Sequence, residues 1–93
     1  MITSFSCKKT ELLFRREEIA PEWREVSAVA LRKLSYLNAA SKPEDLLIPP
    51  ANRLEKLKGD RKTQYSIRIN NRWRICFEFE GGNAMGVEIF DYH

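Results

Sequence analysis

The spacing of apolar residues changes near Leu54, and this change limits the folds open to the chain. Before it, apolar residues between Ala20 and Ala40 recur every three or four positions, the period of a helix with one buried side. After it, apolar and polar residues alternate, which is the period of a strand with one buried face. The pattern predicts one domain over residues 1–93, of the α+β class, in which two helices precede a twisted, mainly antiparallel sheet of four to five strands.

The first half predicts two helices and a connection rich in turns. The segment KKTELLFRRE suits a short helix, and "ITSF" before it suits a short opening strand. A longer helix is expected in 20–40, where Pro21 fits the first turn. Its apolar stripe consists of Trp23, Val26, Ala30, Leu34 and Leu37. The prolines in SKPEDLLIPPAN prevent a long regular element, so a turn and a short helical piece are expected there.

Four segments of the second half predict strands. The segment LEKLKGD is expected to end a strand at Gly59-Asp60, and QYSIRI, WRICFEFE and AMGVEI alternate strictly. In the last of these, Met85, Val87 and Ile89 are expected to share one buried face.

The alternation also predicts the register of the hairpin. A two-residue turn would set Ile67 opposite Arg74, whereas a three-residue loop at 70–72 sets Ile67 opposite Ile75. Asn70 and Asn71 tolerate the left-handed backbone that such loops use. The same register sets Arg68 opposite Arg74, and like charges in that position are destabilising. Either an anion lies near both guanidinium groups or both extend outward into water.

Charge is distributed unevenly along the chain. The net charge is +3, but residues 53–74 contain eight Lys or Arg and two acidic residues, for a net charge of +6. Residues 75–93 contain four acidic residues and no Lys or Arg. The basic segment would attract a polyanion or an acidic protein, although a solvated basic face is the plainer reading.

Several classes of protein are disfavoured. No apolar run approaches the roughly 18 residues of a membrane span, and no signal peptide is recognisable, so a cytoplasmic protein is expected. Cys7 and Cys76 are too few for a disulfide scaffold, although one bridge stays open. One histidine and two distant cysteines lack metal-ligand spacing, so no metal or cofactor is expected. A nucleophilic pair of Cys76 and His93 is less favoured than a buried cysteine.

The sequence ends in EIFDYH, and its single histidine is the final residue. Cleavage of RNA requires a base for the 2′-hydroxyl, an acid for the leaving 5′-oxygen and cations for the charged phosphate. Glu55 or Asp91 could be the base and His93 the acid, with Lys58 and Arg74 as the cations. The alternative is a frayed tail that ends in a solvated histidine.

The segments LKGDRKTQYSIRINNRWRICFEF and VEIFDYH closely resemble the HigB branch of the RelE/ParE toxin superfamily, which includes GraT. The resemblance covers essentially the whole chain. It implies a toxin of a type II toxin–antitoxin pair, with helices packed on one face of the sheet and the RNA site on the other. The implied activity is ribosome-dependent, metal-independent cleavage of messenger RNA in the ribosomal A site, which inhibits translation.

The resemblance also implies site residues. Lys58, Arg74, Asp91, Tyr92 and His93 fall on positions that bind or cleave RNA in the family, where Tyr92 would stack on a base or orient the phosphate. The other cations predicted to bind RNA are Lys56, Arg61, Arg68 and Arg72.

The chain departs from the family at two positions. Some HigB toxins have His where this chain has Glu55, and Asn where it has Arg72. The related YoeB branch uses a glutamate base with an arginine and a near-terminal histidine. Glu55, Arg74 and His93 resemble that set, which favours Glu55 as the base.

The implied partners are a HigA-type helix-turn-helix antitoxin, the 30S subunit of the ribosome and messenger RNA. The toxin itself is expected to be a monomer that forms a hetero-oligomer with its antitoxin. Two other functions keep the same fold: a ParE-like toxin that binds and inhibits DNA gyrase, and a basic module that binds RNA or ribosomes without cleavage. The set of Glu55, Arg74 and His93 argues against the gyrase inhibitor.

Overall fold

A computed structural model of the protein describes residues 1–61 and 63–91, with Arg61 described through its backbone only. It consists of two α-helices followed by a four-stranded antiparallel sheet in the order β1-β2-β3-β4, which confirms the predicted α+β class. The α-helices are α1 (Lys8–Phe14) and α2 (Ser27–Ala39), and the strands are β1 (Glu55–Lys56), β2 (Gln64–Arg68), β3 (Trp73–Glu80) and β4 (Asn83–Asp91). Four short 3₁₀ helices connect them, at Pro21–Val26, Pro43–Leu47, Pro50–Asn52 and Gly59–Arg61.

Both helices are shorter than predicted. α1 ends at Phe14 because Arg16 adopts a left-handed backbone with φ of 59°. The predicted helix over 20–40 divides at Val26 into the 3₁₀ helix Pro21–Val26 and α2. No helix within 1–61 and 63–91 is long and apolar enough to cross a membrane.

One hydrophobic core joins the helices to the sheet. The apolar stripe of the sequence supplies the helical part of this core, except that Val26 is only partly buried. The fully buried members with the largest side chains are Leu13, Leu34 and Leu37 from the α-helices, Leu46 from the 3₁₀ helix Pro43–Leu47, and Ile67, Ile75, Phe77 and Val87 from the sheet. Burial of each such side chain contributes about 1.5–3 kcal/mol, so this shared core fixes the sheet against the helices.

The register of the β2–β3 hairpin is confirmed. Ile67 lies opposite Ile75, and the Ile69 amide donates to the Trp73 carbonyl at 2.9 Å. The role predicted for the asparagines is wrong, because neither has positive φ. Instead, the Asn70 side-chain oxygen accepts hydrogen bonds from the amides of residue 72, at 2.9 Å, and of Trp73, at 2.7 Å. An asparagine that satisfies backbone donors in this way closes a loop without a left-handed residue.

The prediction that Met85, Val87 and Ile89 share one face is wrong for Met85. Gly86 has φ of 60° and inserts one extra residue where the register shifts, between the pairs Cys76–Glu88 and Glu78–Met85. A bulge of this kind reverses the faces beyond it. Met85 therefore shares a face with Glu78, and the residue that is fully buried is the neighbouring alanine at position 84.

Two further strand predictions are only partly met. The segment "ITSF" makes two isolated parallel bridges to β4, Ile2 to Ala84 and Phe5 to Val87, on either side of the bulge. It therefore forms no fifth strand within the described residues. The strand predicted in LEKLKGD is limited to β1, and the chain then turns at Gly59, which has φ of 68°.

A buried polar pair ties α2 to the segment before β1. Lys33 is only 4% exposed, and its ammonium donates to the Asn52 side-chain oxygen at 2.6 Å. The Asn52 amide group donates in turn to the Leu46 carbonyl at 3.1 Å. This chain of hydrogen bonds fixes the position at which the backbone enters β1.

The bulge requires glycine at position 86, where the backbone is left-handed. A Cβ added at Gly86 would lie 3.0 Å from the Ser6 hydroxyl, in a backbone region that costs most L-residues roughly 1–2 kcal/mol. Gly86→Ala should therefore lower the free energy of unfolding in urea by about that amount. Gly86→Asn is the matched control, since asparagine tolerates the left-handed region while adding the same Cβ. An alanine variant at least as stable as the asparagine variant would contradict this account.

Burial of Lys33 should make stability depend on pH. Burial lowers the pKa of Lys33 below its ordinary value of 10.5, and the nearby Arg32 and Arg68 lower it further. The unfolded chain therefore binds more protons than the native state between the lowered pKa and 10.5, so stability should rise with pH in that window. Urea unfolding across this window should show that rise in the wild type and in Lys8→Met, and lose it in Lys33→Met. If the free energy of unfolding changed equally with pH in all three proteins, Lys33 would not be the cause of the rise.

Candidate active site

The centre of the site is a buried arginine on the polar side of β3. The Arg74 side chain is 4% exposed. Its Nε donates to the Ser66 hydroxyl at 2.8 Å, and its Nη2 donates to the Arg53 carbonyl at 2.6 Å and to the Ser66 carbonyl at 3.3 Å. A buried charge requires such partners, since desolvation without them costs several kcal/mol. The guanidinium is therefore held in one orientation.

Two local features provide those partners. Ser66 lies in β2, diagonal to Arg74 on the same face, and its small side chain is fully buried beneath the guanidinium. Arg53 has a left-handed backbone, with φ of 46° and ψ of 57°, and its carbonyl accepts the hydrogen bond from Arg74. A left-handed arginine costs roughly 1–2 kcal/mol, and a charge-assisted hydrogen bond offsets a cost of that size.

Glu55 completes the group. It lies in β1 opposite Ser66, and its carboxylate oxygen Oε1 is 3.8 Å from Nη1 of Arg74. The Glu55 side chain is 46% exposed. The pair therefore joins a buried, oriented cation to a carboxylate that a ligand can reach from solvent.

Two of the predicted RNA-binding cations, Lys56 and Lys58, follow Glu55 closely in the chain. Lys56 follows Glu55 directly and is exposed, with its ammonium 5.3 Å from the centre of the Tyr65 ring. Lys58 is exposed just beyond β1. The side chain of Arg61 lies outside the described structure, as do Tyr92 and His93.

Arg68 and Arg74 are paired across the hairpin as predicted, but the alternative in which both side chains extend into water is wrong. Arg74 is buried and does not extend into water. Arg68 donates to the side-chain oxygen of Asn71 in the loop, whereas Arg74 bonds to Ser66 and Arg53. The repulsion is reduced because the two side chains have partners in different directions.

Asp91 is not brought together with Glu55 and Arg74. It pairs with Trp73, so both side chains project from the face opposite Arg74. Trp73 packs against the core, with its ring 5.9 Å from that of Trp23. Arg72, which was predicted to bind RNA, donates through Nε to Asp91 at 2.9 Å.

Ser66 and Arg53 were missed as functional residues in the sequence. Ser66 had a weak signal, since it is a small polar residue between two arginine-bearing positions of the hairpin. Arg53 had none, because its contribution is a backbone carbonyl in an unusual conformation. Neither Cys7 nor Cys76 forms a disulfide. The buried Cys76 thiol donates a hydrogen bond to the Gln64 side-chain oxygen at 2.8 Å.

Comparison with known proteins identifies the family of this chain. Residues 9–93 match the family described as the RelE-like toxin of type II toxin-antitoxin system HigB. Toxin HigB-1 of Vibrio cholerae is 38% identical over 73 residues, which cover 78% of this chain and 75% of that protein. Endoribonuclease HigB of Proteus vulgaris is 33% identical over 99 aligned positions that span both chains completely. The chain therefore belongs to the HigB family of RelE-like toxins of type II toxin–antitoxin systems.

Proposed function

We propose that this toxin is an endoribonuclease that cuts messenger RNA in the A site of the translating ribosome and so stops translation. The observation that carries the proposal is the buried Arg74 guanidinium beside the half-exposed Glu55 carboxylate, 3.8 Å apart. Such a pair suits RNA cleavage, which needs a proton acceptor next to a fixed positive charge. The name of the Proteus vulgaris relative, an endoribonuclease, supports the same chemistry.

Glu55 is the proposed general base. It takes the proton from a ribose 2′-hydroxyl, and the 2′-oxygen then forms a bond to the adjacent phosphorus. The bond from phosphorus to the 5′-oxygen breaks, and the 5′-oxygen receives a proton from the general acid. The products are a 2′,3′-cyclic phosphate and a 5′-hydroxyl. His93 is the proposed acid, because a histidine can donate a proton near neutral pH.

Arg74 is proposed to stabilise the negative charge that develops on the non-bridging phosphate oxygens. Ser66 and Arg53 already fix its guanidinium in the free protein. Stabilising groups that need no reorganisation during the reaction give the largest benefit, commonly a factor of about 100–1,000 in rate per donor. We propose that this acid–base scheme proceeds without a metal ion.

Three further cations, Lys56, Lys58 and Arg61, are proposed to hold the RNA backbone. Lys56 and Lys58 lie on or just beyond the strand that carries Glu55, and Arg61 follows in sequence. We also propose that α1 and α2 cover the sheet face that carries Trp73, which leaves the Arg74 face for RNA. Because so small a surface holds a flexible strand weakly, the ribosome would supply much of the positioning, with Tyr92 stacked on a base or orienting the phosphate.

An antitoxin partner follows from the family. We propose that it is a helix-turn-helix protein of the HigA kind, and that a monomeric toxin binds it as a hetero-oligomer. The basic segment 53–74, with a net charge of +6, suits either an acidic antitoxin surface or ribosomal RNA. A ribosome-directed toxin would act in the cytoplasm.

Removing the base should abolish most cleavage. Glu55→Gln keeps the size of the side chain but cannot accept the proton, so cleavage of messenger RNA in a translation extract should fall by roughly 100-fold or more. Glu78→Gln is the matched control. Glu78 lies in β3 on the same sheet face as Glu55, and its carboxylate accepts a hydrogen bond from the Thr63 hydroxyl at 3.0 Å. Primer extension measures both rates. Near-normal cleavage by Glu55→Gln would remove Glu55 from this role.

A further inference from the structure

A second charged group lies on the sheet face opposite Arg74, where the β2–β3 loop meets the end of β4. Arg72 donates through Nε to the Asp91 carboxylate at 2.9 Å. Its guanidinium carbon also lies 4.5 Å from the centre of the Trp73 ring, a cation–π contact. Arg72 therefore bridges the loop and the last residue of β4.

The group is supported from the loop and from the helical layer. Asn70 accepts a hydrogen bond from the Arg72 amide, which fixes the backbone at that position. Trp23, 3% exposed, packs edge-to-face against Trp73 and holds the ring on which Arg72 stacks. The pKa of Glu22, in the same 3₁₀ helix as Trp23, is lowered mainly by its hydrogen bond from Lys9 and to a smaller extent by the nearby charge of Arg72.

We infer that Arg72 is a positioning residue for the proposed RNA cleavage, because its stacked guanidinium holds Asp91 and with it the end of β4. This inference rests on the proposed function. Asp91 directly precedes Tyr92 and His93, the residues proposed to contact RNA and to donate the proton. Fixing Asp91 therefore fixes the point from which the final two residues extend.

The arrangement argues against a phosphate-binding role for Arg72. Its Nε is bonded to a carboxylate, one face of its guanidinium covers an indole, and Glu22 lies nearby. An RNA phosphate that bonded to the terminal nitrogens would share the guanidinium with the Asp91 carboxylate. The arrangement also argues against Asp91 as the general base, because Asp91 projects away from Arg74.

The structure offers a matched control for the loss of this ion pair. Arg15 also bonds to a carboxylate at 3.0 Å, that of Glu11 in α1. The side chains of Arg15 and Arg72 are both 57% exposed. Arg72→Gln and Arg15→Gln therefore remove equal charge at equally exposed arginines.

The first measurement is amide hydrogen exchange in the free toxin. Arg72→Gln should speed exchange at Phe90 and Asp91 by about tenfold relative to the wild type, since an anchor of roughly 1.4 kcal/mol corresponds to that factor. Arg15→Gln should leave these two amides unchanged. Unchanged exchange in Arg72→Gln would overturn the inference, whether or not the wild-type toxin cuts RNA.

The second measurement separates positioning from RNA binding. In a translation extract, Arg72→Gln should lower the cleavage rate at saturating toxin by roughly 10- to 100-fold, while the toxin concentration for half-maximal cleavage stays near that of the wild type. The exchanged pair Arg72→Asp with Asp91→Arg should recover at least about tenfold of the loss, since it restores the ion pair. A change confined to the half-maximal concentration would make Arg72 an RNA ligand and overturn the inference. Absence of cleavage by the wild type would instead refute the proposed function.

Discussion

The site depends on one interaction, the burial of the Arg74 guanidinium among neutral oxygens, with the Glu55 carboxylate within ion-pair distance. Removing a partner from a buried charge typically costs 3–5 kcal/mol, so the surrounding structure must keep those oxygens in place. Ser66 and the Arg53 carbonyl do so at 2.8 Å and 2.6 Å. Glu55, at 3.8 Å, is held less closely and remains accessible. The arrangement thus combines a rigid cation with a carboxylate that is accessible from solvent.

The rest of the fold positions those oxygens. The hydrogen bonds from Lys33 to Asn52 and from Asn52 to the Leu46 carbonyl fix the chain before Arg53. The pairing of Glu55 with Ser66 places the carboxylate over the same strand that supports Arg74. On the opposite face, Trp73 and Arg72 hold the end of β4. One face of the sheet therefore holds Arg74 beside Glu55, and the opposite face holds the contacts at the end of β4.

Alternation in the sequence was enough to predict which residues of β2 and β3 face each other, because a one-residue error would bury polar side chains. It failed in β4, where Gly86 adds a residue that alternation cannot count. Alternation does place Asp91 on the face of Val87 and Ile89, whereas its membership of a motif with Tyr92 and His93 says nothing about that face. The support from Arg53 could not be predicted from the sequence, because every residue has a backbone carbonyl. The direction of this one depends on contacts of the preceding residue, Asn52, with Lys33 in α2.

The most direct test of the central claim is primer extension on messenger RNA with wild-type toxin and Arg74→Lys, with and without translating ribosomes. Lysine keeps the charge but cannot bond at once to Ser66 and Arg53 while facing Glu55. Wild type should produce discrete cuts that require translation, and the folded lysine variant should cut about 100-fold less. Equal cleavage by the two proteins, or equal cleavage of RNA without ribosomes, would contradict the account.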